Sequence, residues 1–140
     1  MKRKWIIVVL LLCLILGPMI VNDYNAYRIK EELFFVPLPL DTEMIDSISK
    51  AGKLNGNGNG MQYFGAILIK SDLSIEELDY YYKNQNNRYH IERQLENVIS
   101  VIEHEKVFFH EEMDYQNDYY IVYCWGEGIE FFELFDLRGH

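Results

Sequence analysis

A chain of 140 residues has room for one membrane-spanning segment and one domain, not two. It carries 13 basic and 22 acidic residues, and three of the basic ones precede every acidic one. The part beyond residue 21 therefore sets ten basic residues against 22 acidic, a net charge of −12 with histidines neutral. That balance argues against nucleic acid and against docking on an anionic lipid or wall surface, both of which need a basic patch. It suits a cationic ligand or an unknown basic protein, or simply keeps the domain soluble.

Lys2-Arg3-Lys4 lead into Trp5–Val21, a run without a charged residue in which Ile, Val and Leu dominate. Seventeen residues are the lower limit for crossing a hydrocarbon core of about 30 Å at ~1.5 Å of rise each. A cleaved signal peptide shares the basic start and apolar core, but cleavage wants small residues spaced like Ala-x-Ala. Gly17 has Ile15 two positions before it and Ala26 has Tyr24, so neither fits. Cys13 follows Leu12, which does not suit lipoprotein processing. The expectation is a retained signal-anchor inserted in membrane lipid. Residues 1–4 then form a cytoplasmic basic tail, 5–21 the transmembrane segment, and the remainder is extracytoplasmic by the positive-inside rule. Pro18 predicts a kink or an early helix end.

Residues 22–41 read as a juxtamembrane helix over Asp23–Phe35 and a linker around Pro37-Leu38-Pro39, leaving 42–140 as the exported domain. Thr42–Lys50 alternates loosely, as an edge strand does. Asn55-Gly56-Asn57-Gly58-Asn59-Gly60 suits a hairpin connection to a strand over Met61–Lys70, and the expectation is a loop that only joins two strands. It lacks the Lys-Ser/Thr of a phosphate loop. Ser74 and Glu77 form a capping box that opens a helix carrying Ile75, Leu78, Tyr81 and Tyr82, and Asn84–Asn87 end it.

The middle section, 89–110, supports two readings. Ile91, Leu95, Val98, Ile99 and Ile102 make a helical stripe, whereas Ser100–Phe109 alternates like a strand. Tyr119–Trp125 is a strand, Gly126-Glu127-Gly128 a turn, and Ile129–Leu137 a second strand pairing back. This terminal hairpin is expected at the centre of the sheet, with one of Phe131 and Phe132 in the core. The fold class is α+β: an N-terminal transmembrane helix, then a small domain of antiparallel strands with one or two helices.

Lys50-Ala51-Gly52-Lys53-Leu54, Gly60-Met61-Gln62-Tyr63-Phe64-Gly65-Ala66, Tyr119–Tyr123 with Trp125-Gly126, and Asp136-Leu137-Arg138-Gly139-His140 resemble small uncharacterised Firmicutes proteins. Those proteins have one N-terminal span and an exported domain. The resemblance implies a bacterial cell-membrane setting and the same topology, and it brings no catalytic residue.

No residue is assigned to catalysis, cofactor binding or metal ligation. Glu103-His104-Glu105 and His110-Glu111-Glu112 carry ligand atoms for zinc, but adjacent residues point to opposite strand faces, and no His-Glu-x-x-His pattern occurs. On a strand His104 and His110 stand about 20 Å apart. No Gly-x-Ser-x-Gly turn holds a nucleophile. Cys124 lies in an apolar strand that raises its thiol pKa, and Cys13 lies in the span, so neither reads as a nucleophile. The terminal Asp136–Arg138 pair reads as a weak local ion pair on a frayed end, or as a docked carboxyl terminus. The functional expectation is a membrane-anchored binding or interaction domain, with a small extracytoplasmic hydrolase or metal-dependent enzyme as the alternative.

Overall fold

The structure is a computed structural model that describes residues 2–57, 60–114 and 116–139. Helix α1 runs from Lys2 to Phe34 without ending at Pro18. It is followed by β1 (Thr42–Gly52), β2 (Gln62–Ser71), α2 (Ile75–Gln85), β3 (His90–Arg93), β4 (Tyr119–Gly126), the single turn α3 (Glu130–Glu133) and a 3-10 turn over Leu137–Gly139. The four strands form one antiparallel sheet in the order β1-β2-β4-β3. An apolar N-terminal helix and an antiparallel sheet with further helices make the fold α+β.

The two central strands, β2 and β4, are buried on both faces, which is why they read as continuous apolar runs rather than alternating ones. Tyr63, Ile67 and Ile69 of β2 and Tyr120, Val122 and Cys124 of β4 face one core, closed by Ala26, Ile29 and Leu33 of α1 and Leu78 and Tyr82 of α2. Phe64, Ala66, Leu68, Ile121 and Tyr123 face the other way. That second core is closed by Ile99, Ile102, Val107, Phe109 and Met113. A helical layer therefore covers one side of the sheet and an irregular segment covers the other.

Strand β1 is the edge strand expected of its loose alternation, and the looseness has a cause. Its register slips between Met44 and Asp46, where Ile45 is the extra residue. Ile45 and Ile48, of opposite parity, consequently pack on the same core. The capping box of α2 is present: the Glu77 amide donates to Ser74 Oγ and the Ser74 amide donates to Glu77 Oε2.

Three readings need correction. Ile129–Leu137 does not pair back as a strand. Both edges of β4 are already taken, by β2 and β3, so no backbone slot remains for a further strand. The chain instead turns into α3, where Phe131 is exposed and Phe132 only half-buried, so neither is a core residue. The sheet centre is accordingly β2–β4, not a terminal hairpin. The middle section is neither a helix nor a long strand. Only His90–Arg93 is strand, and beyond it a single bridge, Val98–Phe108, interrupts irregular backbone.

Residues 22–34 continue α1 as a helix, and Asn22, Ala26, Ile29 and Leu33 form a buried stripe along it. Finally, the Asn-Gly loop does connect β1 to β2, but its base does more than join them. Gln62 Oε1 accepts from the Leu54 and Asn55 amides at 2.8 and 2.6 Å, and His104 Nε2 meets the Gly56 carbonyl at 2.5 Å. Gly58 and Asn59 lie outside the described residues.

Candidate functional site

Where the apolar run of α1 ends, a buried polar cluster locks the helix to the carboxyl-terminal segment. Asn22 is fully buried. It accepts from the Tyr63 hydroxyl at 2.8 Å and donates to Asp136 Oδ2 at 2.9 Å and to the Phe132 carbonyl at 3.3 Å. Asp136, also fully buried, is held by a two-pronged grip from Arg138, Nε to Oδ1 at 3.0 Å and Nη2 to Oδ2 at 2.7 Å. The same guanidinium reaches Asp23 Oδ1 at 2.7 Å and the Met19 carbonyl at 3.1 Å. The fork of an arginine, with donors in one plane, is what allows four acceptors to be served at once.

The carboxyl-terminal segment is thus docked on α1 through Asp136 and Arg138, and the Gly139 carbonyl beyond them accepts the Gly60 amide, so the frayed-end reading is replaced. His140 lies outside the described residues. The reading of Asp136–Arg138 as a weak exposed pair is also replaced, because the carboxylate it holds has no contact with water.

Burial opposes the charge on Asp136, but the hydrogen bonds and charge of Arg138, with the Asn22 amide, together outweigh it and hold the carboxyl down at about 2. A carboxyl whose pKa falls on folding contributes stability above its unfolded value and loses it as pH drops through the folded one. The contribution here is about 2 kcal/mol, present above roughly pH 4 and vanishing toward pH 2. Urea titrations of the native chain and of Asp136→Asn across that range are expected to differ most at neutral pH and to converge by about that amount as the pH falls. A constant gap would show that Asp136 does not carry the dependence.

Beside this cluster the C-terminal segment presents large apolar side chains to the outside. Phe131, Phe132 and Phe135 form one wall of a groove of about 360 Å³, and Leu10, Cys13, Leu14 and Pro18 of α1 form the other.

A second concave surface lies at the opposite end of the sheet. Tyr63 pairs with Gly126 at the end near Asn22, and Lys70 pairs with Tyr119 about 24 Å farther along at ~3.4 Å per residue. There, Leu95, Glu96, Val98, Phe108, Glu112 and Met113 line an open groove of about 680 Å³. Leu95 is 67% exposed and Phe108 50%, so the groove offers apolar surface between two carboxylates. Gln94 anchors its floor by donating to the Glu96 and Val98 carbonyls. Arg93 pairs with Asp118 in the adjoining cleft.

The histidines are not brought together. His90 stacks on Tyr123, His104 contacts the Asn-Gly loop, and His110 sits 3.5 Å from Asp46. Burial works against the Asp46 charge, but the amides of Ser47, His110 and Glu111, all donating to the carboxylate, hold its pKa below the usual range. This carboxylate fastens the covering segment to β1. Among the described residues no three His, Cys, Asp or Glu side chains converge to hold a metal ion. Cys124 is buried, and burial pushes its thiol up to about 11, so it stays protonated and unreactive at neutral pH.

Sequence reasoning passed over Asn22, Tyr63 and the 95–113 groove. Asn22 had a legible signal: a polar residue directly after an apolar run, in register with Ala26, Ile29 and Leu33. The groove had none, because its walls come from backbone with no repeating pattern.

No family model, curated protein or solved structure matches the chain. Among the described residues, α1 is the one helix long and apolar enough to cross a membrane.

Proposed function

We propose that the chain is a single-pass membrane protein with a cytoplasmic amino terminus, and that its acidic domain binds a cationic, partly apolar peptide segment in the 95–113 groove. The observation that supports this best is the continuity of α1. One unbroken helix has an exposed apolar half, Trp5–Leu16, and a half built into the domain core, so anchor and domain move as one body. The groove lies at the far end of that body from the anchor, where a partner can reach it. Its pairing of Glu96 and Glu112 with exposed Leu95 and Phe108 matches basic side chains alternating with apolar ones. The three basic residues before the run and the mixed charges after it support the orientation.

Topology and binding are tested separately. Taking the Firmicutes-like setting, protease applied to intact protoplasts is expected to remove the carboxyl-terminal domain and leave a short membrane fragment. A soluble, shortened chain in the medium would mean cleavage and end the anchor reading. For binding, the probe is a synthetic peptide of alternating lysine and leucine, followed by fluorescence anisotropy. The double change Glu96→Lys and Glu112→Lys is expected to weaken binding about tenfold at low salt while leaving the melting temperature unchanged, since both side chains are exposed. Equal affinity of the two proteins would remove the groove as the site.

A further inference from the structure

The segment after β4 gathers apolar side chains that the domain itself does not use. Phe131, Leu134 and Leu137 are 62%, 64% and 80% exposed, and Ile129 and Phe135 are exposed beside them. A patch of this kind marks contact with something other than water. Its position on α1 says what.

The rings of Phe131, Phe132 and Phe135 share a groove with Leu10, Leu14 and Pro18, which reaches from near the outer end of the apolar run to past its midpoint. Trp5–Val21 is ~26 Å of helix against a hydrocarbon layer of about 30 Å, so it has no length to spare. If the lipid stopped below these rings, only Trp5–Val9 would remain, or ~8 Å, which no bilayer matches. A span that crosses at all must therefore have acyl chains alongside Leu10–Pro18, at the depth of the aromatic patch.

We infer that residues 129–137 form a wedge inserted in the outer leaflet, with a phospholipid acyl chain occupying the groove between the wedge and α1. This rests on the reading of α1 as a transmembrane anchor.

Two features make insertion affordable. Backbone groups in hydrocarbon need internal partners. Here the amides of Phe132 and Glu133 donate to the Ile129 carbonyl, that of Leu134 to Glu130, that of Asp136 to Glu133 and that of Gly139 to Asp136. Of the charged side chains that accompany the segment, Asp136 and Arg138 are locked with Asn22 and Asp23 just beyond the apolar run, at the level of the outer headgroups, and Glu133 is half-buried beside the Tyr63 hydroxyl at that same end. Glu130 is exposed at the first turn of α3, and a carboxylate at the bilayer centre costs about 3 kcal/mol, so it holds that turn near the interface with the rings below it. The attraction is hydrophobic, consistent with a domain too acidic to bind anionic lipid by charge.

The test uses the full chain in phosphatidylcholine vesicles whose acyl chains are brominated either near the headgroup or near the chain end, read by tryptophan quenching. Four single-tryptophan proteins are compared. One keeps only Trp5. One carries Phe131→Trp, one Leu137→Trp as a second site should the first perturb folding, and one carries Tyr80→Trp on the exposed face of α2. The wedge reporter is expected to lose about half its emission, most strongly to bromine near the chain end, because its ring shares a groove with Leu10 and Leu14, ~11–17 Å of helix below Val21. The Tyr80→Trp protein is expected to keep its emission. Quenching of Trp5 without quenching at both wedge sites would overturn the wedge while leaving the span intact. Loss of quenching at all positions would overturn the span and the wedge with it. Wedge reporters that are shielded from bromine but change emission on dilution would place a second copy of the chain on the patch, which also overturns the lipid assignment.

Discussion

A chain beginning at Thr42 is expected not to fold, whereas one beginning at Asn22 is expected to unfold cooperatively. The sequence pattern starts the exported domain at Thr42, but its helical layer starts at Asn22. Removing 22–41 strips Ala26, Ile29 and Leu33 from the core shared by β2 and β4. Emptying one Leu or Ile site costs about 2–5 kcal/mol, so losing Ile29 and Leu33 alone approaches the ~5–15 kcal/mol that holds a typical domain together. The same cut removes the Asn22 oxygen and amide that serve Tyr63 and Asp136, leaving both buried polar groups short of a partner. Circular dichroism melts of the two proteins decide the matter. A cooperative transition for the shorter one near that of the longer would show that α1 covers the sheet without stabilising it.

What the sequence reveals here depends on how regular each element is. β1, β2, α2 and β4 are legible because each carries a period or a cap: the Ser74–Glu77 box, the apolar runs of β2 and β4, the loose alternation of β1. The stripe Asn22, Ala26, Ile29, Leu33 has helical spacing too, but an apolar helix leaving a bilayer needs no partner, so the spacing is easily taken as mere continuation. Ile129–Leu137 misleads for a different reason. A short apolar run does not distinguish strand from helix, and the deciding fact is that β3 occupies the free edge of β4. β3 is only four residues long, with a single buried side chain, Ile91, and so leaves almost no pattern. The covering segment is hardest of all. Ile99, Ile102, Val107, Phe109 and Met113 anchor it through isolated contacts, and backbone without a repeat carries no periodic signal. Both candidate surfaces inherit that limit, since each is made where irregular chain meets a regular element.

Gly65→Val is expected to destabilise the protein by about 3 kcal/mol or more, at the upper end of overpacking costs, because α1 crosses β2 directly over this residue. A β-carbon there would stand 2.5 Å from the Lys30 nitrogen and 2.8 Å from its α-carbon. These are backbone atoms, so no rotamer change relieves the clash, and the helix as a whole would have to lift. Lifting it opens the contacts of Ile29 and Leu33 and pulls Asn22 away from Tyr63 and Asp136, so one added side chain disturbs both the packing and the polar lock. Gly17→Val supplies the comparison. A β-carbon at Gly17 meets nothing within 4 Å, although it lies on the same helix. Valine replaces glycine in a helix at little cost or a slight gain, within about 0.5 kcal/mol. Thermal unfolding of the full chain in one detergent, followed by near-ultraviolet circular dichroism of the buried tyrosines, separates the two variants. A small, equal shift for both would mean that α1 rides loosely on the sheet, and the rigid coupling of anchor to domain would fall with it.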